Sequence, residues 1–217
     1  MENDKRLALQ AYEQIRDLIL SGAALPGTML TERRLAETLE MSRTPIRDAL
    51  LMLEGEGLLM RQGTRGLQVR ELRIEDFMDA VEIRLLLEPG AAALAAGRMS
   101  VEELASLKDQ LGDLLKGATN QQEKPSRSLI IEVDERVHNG IADATGNRQL
   151  AQIIRTLRRQ TQIFDLRRLP ERLEATCREH LDIVQALQAA DGDAAAKAMR
   201  THLEQVRYSI INRLTKR

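Results

Sequence analysis

The chain has 217 residues, 43 % of them hydrophobic and 30 % charged, with a formal net charge of −1. That length fits one large domain or two small ones, and that charge excludes a uniformly basic nucleic-acid binder, so any DNA surface must be a local patch. Aromatic residues make up only 2 % and tryptophan is absent, which leaves Leu, Ala, Ile, Val and Met to build a core that leans helical. One cysteine, Cys177, excludes an intrachain disulfide and fits a reducing compartment. The opening MENDKRLALQ lacks a signal-peptide apolar run, and no stretch of about 18 apolar residues follows; a cytoplasmic protein without a membrane span is expected.

The first 70 residues read differently from the rest. Ala8, Ala11, Tyr12, Ile15, Leu18 and Ile19 fall on one helical stripe, which SGAALPGT stops at Gly22, Pro26 and Gly27. Thr31 caps a short second helix with Leu35, Ala36 and Leu39 inward, and LEMS makes a tight turn. Ser42 caps a third helix carrying Ile46, Ala49, Leu50 and Leu53, with Pro45 in its first turn, where a missing N–H costs little. LLMRQGTRGLQVR then gives short apolar or β-branched segments around a Gly-rich turn, a hairpin signal.

After about residue 73 no strand signal returns. Six helices are predicted, at roughly 75–97, 100–116, 127–145, 147–166, 171–190 and 193–215. Ser100 and Glu103 form a capping-box pattern, Asn147 is placed as an N-cap, and ADGD marks the last break. The expected fold is mainly α: a winged helix-turn-helix over residues 1–73 and an all-helical bundle over 74–217.

Three short helices and a β-hairpin wing make a winged helix-turn-helix, whose third helix enters the major groove. SRTPIRDAL sets Arg43 and Arg47 about one turn apart, beside the apolar stripe. Arginine forks onto guanine or clamps a phosphate. Ser42 and Thr44, at a helix N-terminus, offer phosphate donors. Arg33 starts the second helix, and the wing tip offers Gln62, Gly63, Thr64 and Arg65. Charge alone is neutral on the matter, since residues 31–70 hold seven arginines and six acidic residues. The order of the elements favours DNA binding over solvated surface charge.

These residues carry a resemblance. The pattern G-x-x-x-P-G-x-x-L-x-E-R-x-L-A, then S-R-T-P-I-R-D-A-L-x-x-L-E-x-E-G-L, then G-x-x-V, resembles the GntR family of bacterial transcription regulators over residues 11–70. The resemblance implies a dimer on a palindromic operator, with DNA contacts on Arg33, Arg43, Thr44, Arg47 and Gly63.

The second half holds all three histidines of the chain, His138, His180 and His202. Treated as an antiparallel hairpin turning at Asp191–Gly192, the last two helices place His180 and His202 each about 16 Å from the turn, level with one another. Both lie on apolar stripes, His180 with Leu173, Cys177, Val184 and Leu187, and His202 with Ala195, Met199 and Val206. Asp134 and His138 share a stripe with Ile130, Val137 and Ile141, stacked at i, i+4. One inward carboxylate and three inward imidazoles suit a divalent metal: Zn²⁺, Ni²⁺ or a similar first-row ion. Each alone reads as a satisfied core residue; their joint arrangement favours the metal. Cys177 is read as a small core residue.

The resemblance then extends. An Asp-x-x-x-His pair followed by GN, a later E-H-x-x-I-x-x-A-L, and a final M-x-x-H-L resemble the FadR C-terminal (FCD) ligand domain over residues 75–210. Six helices are similar to its VanR-type branch. This implies Asp134, His138, His180 and His202 as ligands and a small organic acid as effector. EIRLLLEPGAAALAA is similar to the family's opening helix. Arg84 is a candidate partner for the effector carboxylate, against the alternative of a salt bridge to Glu88. Thr161 is a candidate pocket residue. The expected function is a DNA-binding regulator, a repressor released by a carboxylate, and not an enzyme. A metal-sensing regulator and a metal-dependent hydrolase are the alternatives.

Overall fold

The computed structural model describes residues 2–63, 66–70, 73–120, 125–168 and 172–215. It divides into two compact units, Met1–Phe77 with Gln162–Arg167, and Met78–Thr161 with Arg168–Arg217.

In the first unit, helix α1 (Glu2–Ser21) buries Ala8, Ala11, Ile15 and Ile19 along one face. The spacing is the 3.6-residue repeat of a half-buried helix. It ends at Gly22, whose φ of 83° is a left-handed conformation natural to glycine. Helix α2 (Glu32–Thr38) starts at Thr31, whose side chain accepts from the Arg34 amide. Helix α3 (Arg43–Gly55) buries Pro45, Ile46, Ala49, Leu50 and Leu53. Ser42 stands at its N-cap without a side-chain capping bond, which differs from the capping role expected of it.

Among the described residues the unit also holds three strands, β1 (Met29–Leu30), β2 (Leu59–Arg61) and β3 (Leu67–Val69), antiparallel in the order β1-β3-β2. The β2–β3 pair is the expected hairpin, with Leu59 opposite Val69 and Arg61 opposite Leu67. The edge strand β1 is an addition, pairing Met29 with Gln68 and Leu30 with Leu67. Two residues are too few to show an alternation, and their partner lies far along the chain. Leu30, Leu59, Leu67 and Val69 join the α1–α3 core.

The remaining elements among the described residues are six helices: α4 (Ile74–Ala95), α5 (Val101–Thr119), α6 (Arg127–Ala144), α7 (Arg148–Arg168), α8 (Leu173–Gln188) and α9 (Gly192–Thr215). Ser100 and Glu103 form the full reciprocal capping box at α5. Asn147 Oδ1 accepts from the Leu150 amide at α7, 3.1 Å. The α8–α9 turn places Ala190 at a φ of 53°, and Asp191 Oδ1 caps α9 by accepting from the Ala194 amide. Helix α5 packs on α8 and α8 on α9. Leu104, Leu107, Leu111, Val137, Ile141, Ile183, Leu187, Met199 and Leu203 are buried in this unit. None of the helices among the described residues is long and apolar enough to cross a membrane.

Candidate metal centre and nucleic-acid surface

Helices α6, α8 and α9 each bring one histidine to a common point. His138, His180 and His202 are all buried, at 1 %, 1 % and 2 % exposure. The ring centroids of His180 and His202 lie 4.5 Å apart, and His138 lies 5.1 and 5.2 Å from the two. One ring nitrogen from each lies within 4.8 Å of the others. His138 Nε2 approaches His180 Nε2 to 3.2 Å. Asp134 Oδ1 stands 3.7 Å from His180 Nε2 and 3.9 Å from His138 Nε2. Asp134 is thus on the His138–His180 side of the cluster, with its side chain 28 % exposed.

Burial pushes the imidazoles of His180 and His202 down to about 3 and that of His138 well below its usual value, with neighbouring cations acting in the same sense. Neutral rings are the metal-binding form. Burial works against ionisation of Asp134, but the Arg158 guanidinium outweighs it and holds its carboxyl well below the usual carboxylate range. Three buried ring nitrogens, with a partly exposed carboxylate oxygen 3.7 and 3.9 Å from two of them, fit a first-row divalent ion. Burial raises the Cys177 thiol to about 11, so it stays protonated as a core side chain.

Around this cluster stand Glu88, Arg158, Arg172 and Glu179, which sequence spacing did not single out for the site, together with Arg84. Glu88 Oε2 lies 2.5 Å from His138 Nδ1, while Arg84 Nε donates to Glu88 Oε1 at 2.5 Å. Glu179 Oε2 lies 2.8 Å from His202 Nδ1, and Arg172 Nη2 donates to both oxygens of Glu179. Arg158 Nη2 donates to Asp134 Oδ2 at 2.5 Å. The one available signal was the Arg84–Glu88 spacing of four, which reads as an ordinary helical ion pair. Arg84 also donates from Nη1 to Thr161 Oγ1, 2.7 Å. The two candidate effector residues are therefore brought together, both buried, and Arg84 makes the Glu88 salt bridge weighed as the alternative.

In the first unit the exposed face of α3 carries Ser42, Arg43, Thr44 and Arg47, opposite its buried apolar face. Arg33 on α2 is exposed as well. Arg47 is forked onto Glu32, Nε to Oε1 at 2.8 Å and Nη2 to Oε2 at 2.9 Å, and that bond lowers the Glu32 carboxyl. Gln62 donates from Nε2 to Gln68 Oε1, and Gly63 turns the wing at a φ of 54°. Thr64 and Arg65 lie outside the described residues.

Comparison with known proteins agrees with this layout. Residues 7–69 match the bacterial regulatory proteins of the gntR family, and residues 79–205 match the FCD domain. The HTH-type transcriptional repressor RspR of Escherichia coli is 28 % identical over 210 residues, covering 93 % of this chain and 87 % of RspR. The solved structure of E. coli McbR/YncC, 25 % identical, superposes with a TM-score of 0.76 over 96 % of this chain and 98 % of that one. A solved structure described as the Zn²⁺-bound FCD domain of TM0439 covers 68 % of this chain and 99 % of its own, with a TM-score of 0.56. At 19 % identity it shows the fold alone. The chain belongs to the GntR family of bacterial transcription regulators, with an FCD domain as its helical half.

Proposed function

We propose that this regulator senses a small organic acid at a metal ion held by Asp134, His138, His180 and His202. The observation that carries this reading is the convergence of three buried imidazoles from three helices. When bound, the ion offers a coordination position to a carboxylate oxygen. Asp134 gives the pocket its negative charge, and Arg158 keeps one of its oxygens engaged so that Oδ1 is turned to the rings. Arg84 and Thr161 place a guanidinium and a hydroxyl in the same unit, chemistry suited to a carboxylate.

Residues 1–73 are the DNA-binding module and 74–217 the sensing and dimerising one. Two copies pair on a palindromic operator, and the separation of the recognition helices selects half-site spacing. Ser42, Arg43, Thr44, Arg47, Arg33, Gln62 and Gly63 form the DNA face. Arg47 leaves Glu32 to reach the duplex. The effector shifts operator affinity only by its different affinity for the two packings of the chain. The reading is a repressor released by its ligand, as the name of the relative RspR supports.

A second reading, in which the metal itself is the signal, draws on Arg84 being engaged by Glu88 and Thr161. Chelation alone then abolishes operator control, whereas an acid sensor needs the organic ligand too. The test of the site is the metal content of the purified protein beside His180→Ala. About one ion per chain, lost in the variant, supports the reading; no ion in either protein sinks it.

A further inference from the structure

Two of the three histidines are held from behind by the same arrangement of charges. Glu88 accepts from Arg84 Nε on Oε1 and faces His138 Nδ1 with Oε2, both at 2.5 Å. Glu179 accepts from Arg172 Nη2 on Oε1 and Oε2, at 2.7 and 2.8 Å, and faces His202 Nδ1 with Oε2 at 2.8 Å. The arginines are themselves tied down, Arg84 to Thr161, and Arg172 to Ser209 and Thr176. Each ring is thus the end of an Arg–Glu–His chain, one from α4 to α6 and one from α8 to α9. Glu88 and Arg84 are 2 % and 3 % exposed, so water offers little competition.

Arginine has only donors, and a carboxylate has only acceptors. A carboxylate gripped by a guanidinium therefore leaves the proton of the Glu–His contact on the ring. The neutral ring then carries N–H at Nδ1 and its lone pair at Nε2. For His138 that nitrogen is the one 3.2 Å from His180 Nε2 and 3.9 Å from Asp134 Oδ1. We propose that Glu88 and Glu179 are positioning residues that fix His138 and His202 as the Nδ1–H tautomer, so that both present Nε2 to one shared cation. This rests on the metal reading given above for what the cation does, but not for which nitrogen carries the proton.

Glutamine at either position makes the claim sharp. It is nearly isosteric and keeps one contact to the arginine and one to the ring. Its one oxygen is claimed by the arginine, which can only donate, so its NH₂ faces Nδ1. A donor there requires a lone pair on Nδ1, and the ring proton moves to Nε2. Glu88→Gln thus inverts His138, and Glu179→Gln inverts His202. In each case an N–H is placed where the ion needs a lone pair.

The experiment uses the metal-free full chain and long-range ¹H–¹⁵N spectra of its imidazoles. With three histidines in the sequence, at most three ring patterns arise. The wild type is expected to show at least two Nδ1–H rings, and each glutamine variant to convert one of them, a different one in each. A wild type lacking that pair, or a variant whose rings are unchanged, overturns the assignment. The second arm is Ni²⁺ or Zn²⁺ affinity by competition with a chromophoric chelator, expected to fall about 10–100-fold in each variant. Unchanged affinity despite an inverted ring overturns the positioning role. A wild type that takes up no metal removes the sensing reading, while the tautomer spectra still decide this inference. Thermal unfolding close to wild type shows that the variants fold.

Discussion

Arg158 donates to one oxygen of Asp134 at 2.5 Å, while the other oxygen of that carboxylate stands 3.7 Å from His180 Nε2. A guanidinium and a metal ion would therefore share the same anion. Arg158→Met keeps the volume and removes the charge. We expect the metal-free protein to lose on the order of 1–3 kcal/mol, less than for a fully buried pair because Asp134 retains contact with water. A bound divalent ion supplies the missing positive charge, so metal should restore more of the melting temperature in the variant than in the wild type. Equal metal-induced shifts in the two proteins would separate Arg158 from the site.

Gly192 opens α9 against the backbone of α4. A Cβ there would meet Ala93 O at 3.0 Å and Ala93 Cα at 3.5 Å. Gly192→Ala should cost about 1–3 kcal/mol by forcing two helix backbones apart. Gly112 in α5 has nothing within 4 Å of the same point, and Gly112→Ala should stabilise by about 0.5–1 kcal/mol through helix propensity. Urea midpoints of the pair check both signs. A neutral Gly192→Ala would mean that the α4–α9 approach is looser than described.

Ser100 and Ser42 occupy equivalent helix-start positions with different bonding. Ser100 Oγ accepts from the Glu103 amide at 3.1 Å, and the Glu103 carboxylate returns to the Ser100 amide. Ser42 makes no such bond. Ser100→Ala should cost about 1 kcal/mol, whereas Ser42→Ala should leave thermal stability nearly unchanged and weaken DNA binding. A stability loss at Ser42 equal to that at Ser100 would assign it a capping role in solution.

Arg43 is exposed on α3, whereas Arg47 is forked onto Glu32. Arg43→Ala should lower operator affinity about tenfold or more without moving the melting temperature. If the side chain clamps a phosphate, the slope of log affinity against log salt also falls by about one. An unchanged slope with relaxed sequence preference would assign it to a base edge. Unaltered affinity would remove Arg43 from the DNA face.

The six-helix half was legible because each helix announces itself locally. Apolar residues recur at the helical period, and Ser100 and Asn147 mark starts with side chains that do cap. The histidine cluster was legible for a second reason: the α8–α9 hairpin is symmetric about its turn, so equal spacing put His180 and His202 level. Their centroids stand 4.5 Å apart. Strand β1 was not legible, since two residues carry no period and their partner is β3.

The sequence by itself determined the helices, the recognition-helix pattern and the inward direction of the three histidines, because these follow from periodicity and short-range capping. Only the tertiary structure decided what stands behind those rings. Glu88 reaches His138 across 50 positions, Glu179 reaches His202 across 23, and Arg158 reaches Asp134 across 24. A charged residue carries no mark of its partner in its own neighbourhood. Whether it meets water, a carboxylate or a ring nitrogen is set by how whole helices pack, because burial makes an unpaired charge too costly to leave unanswered.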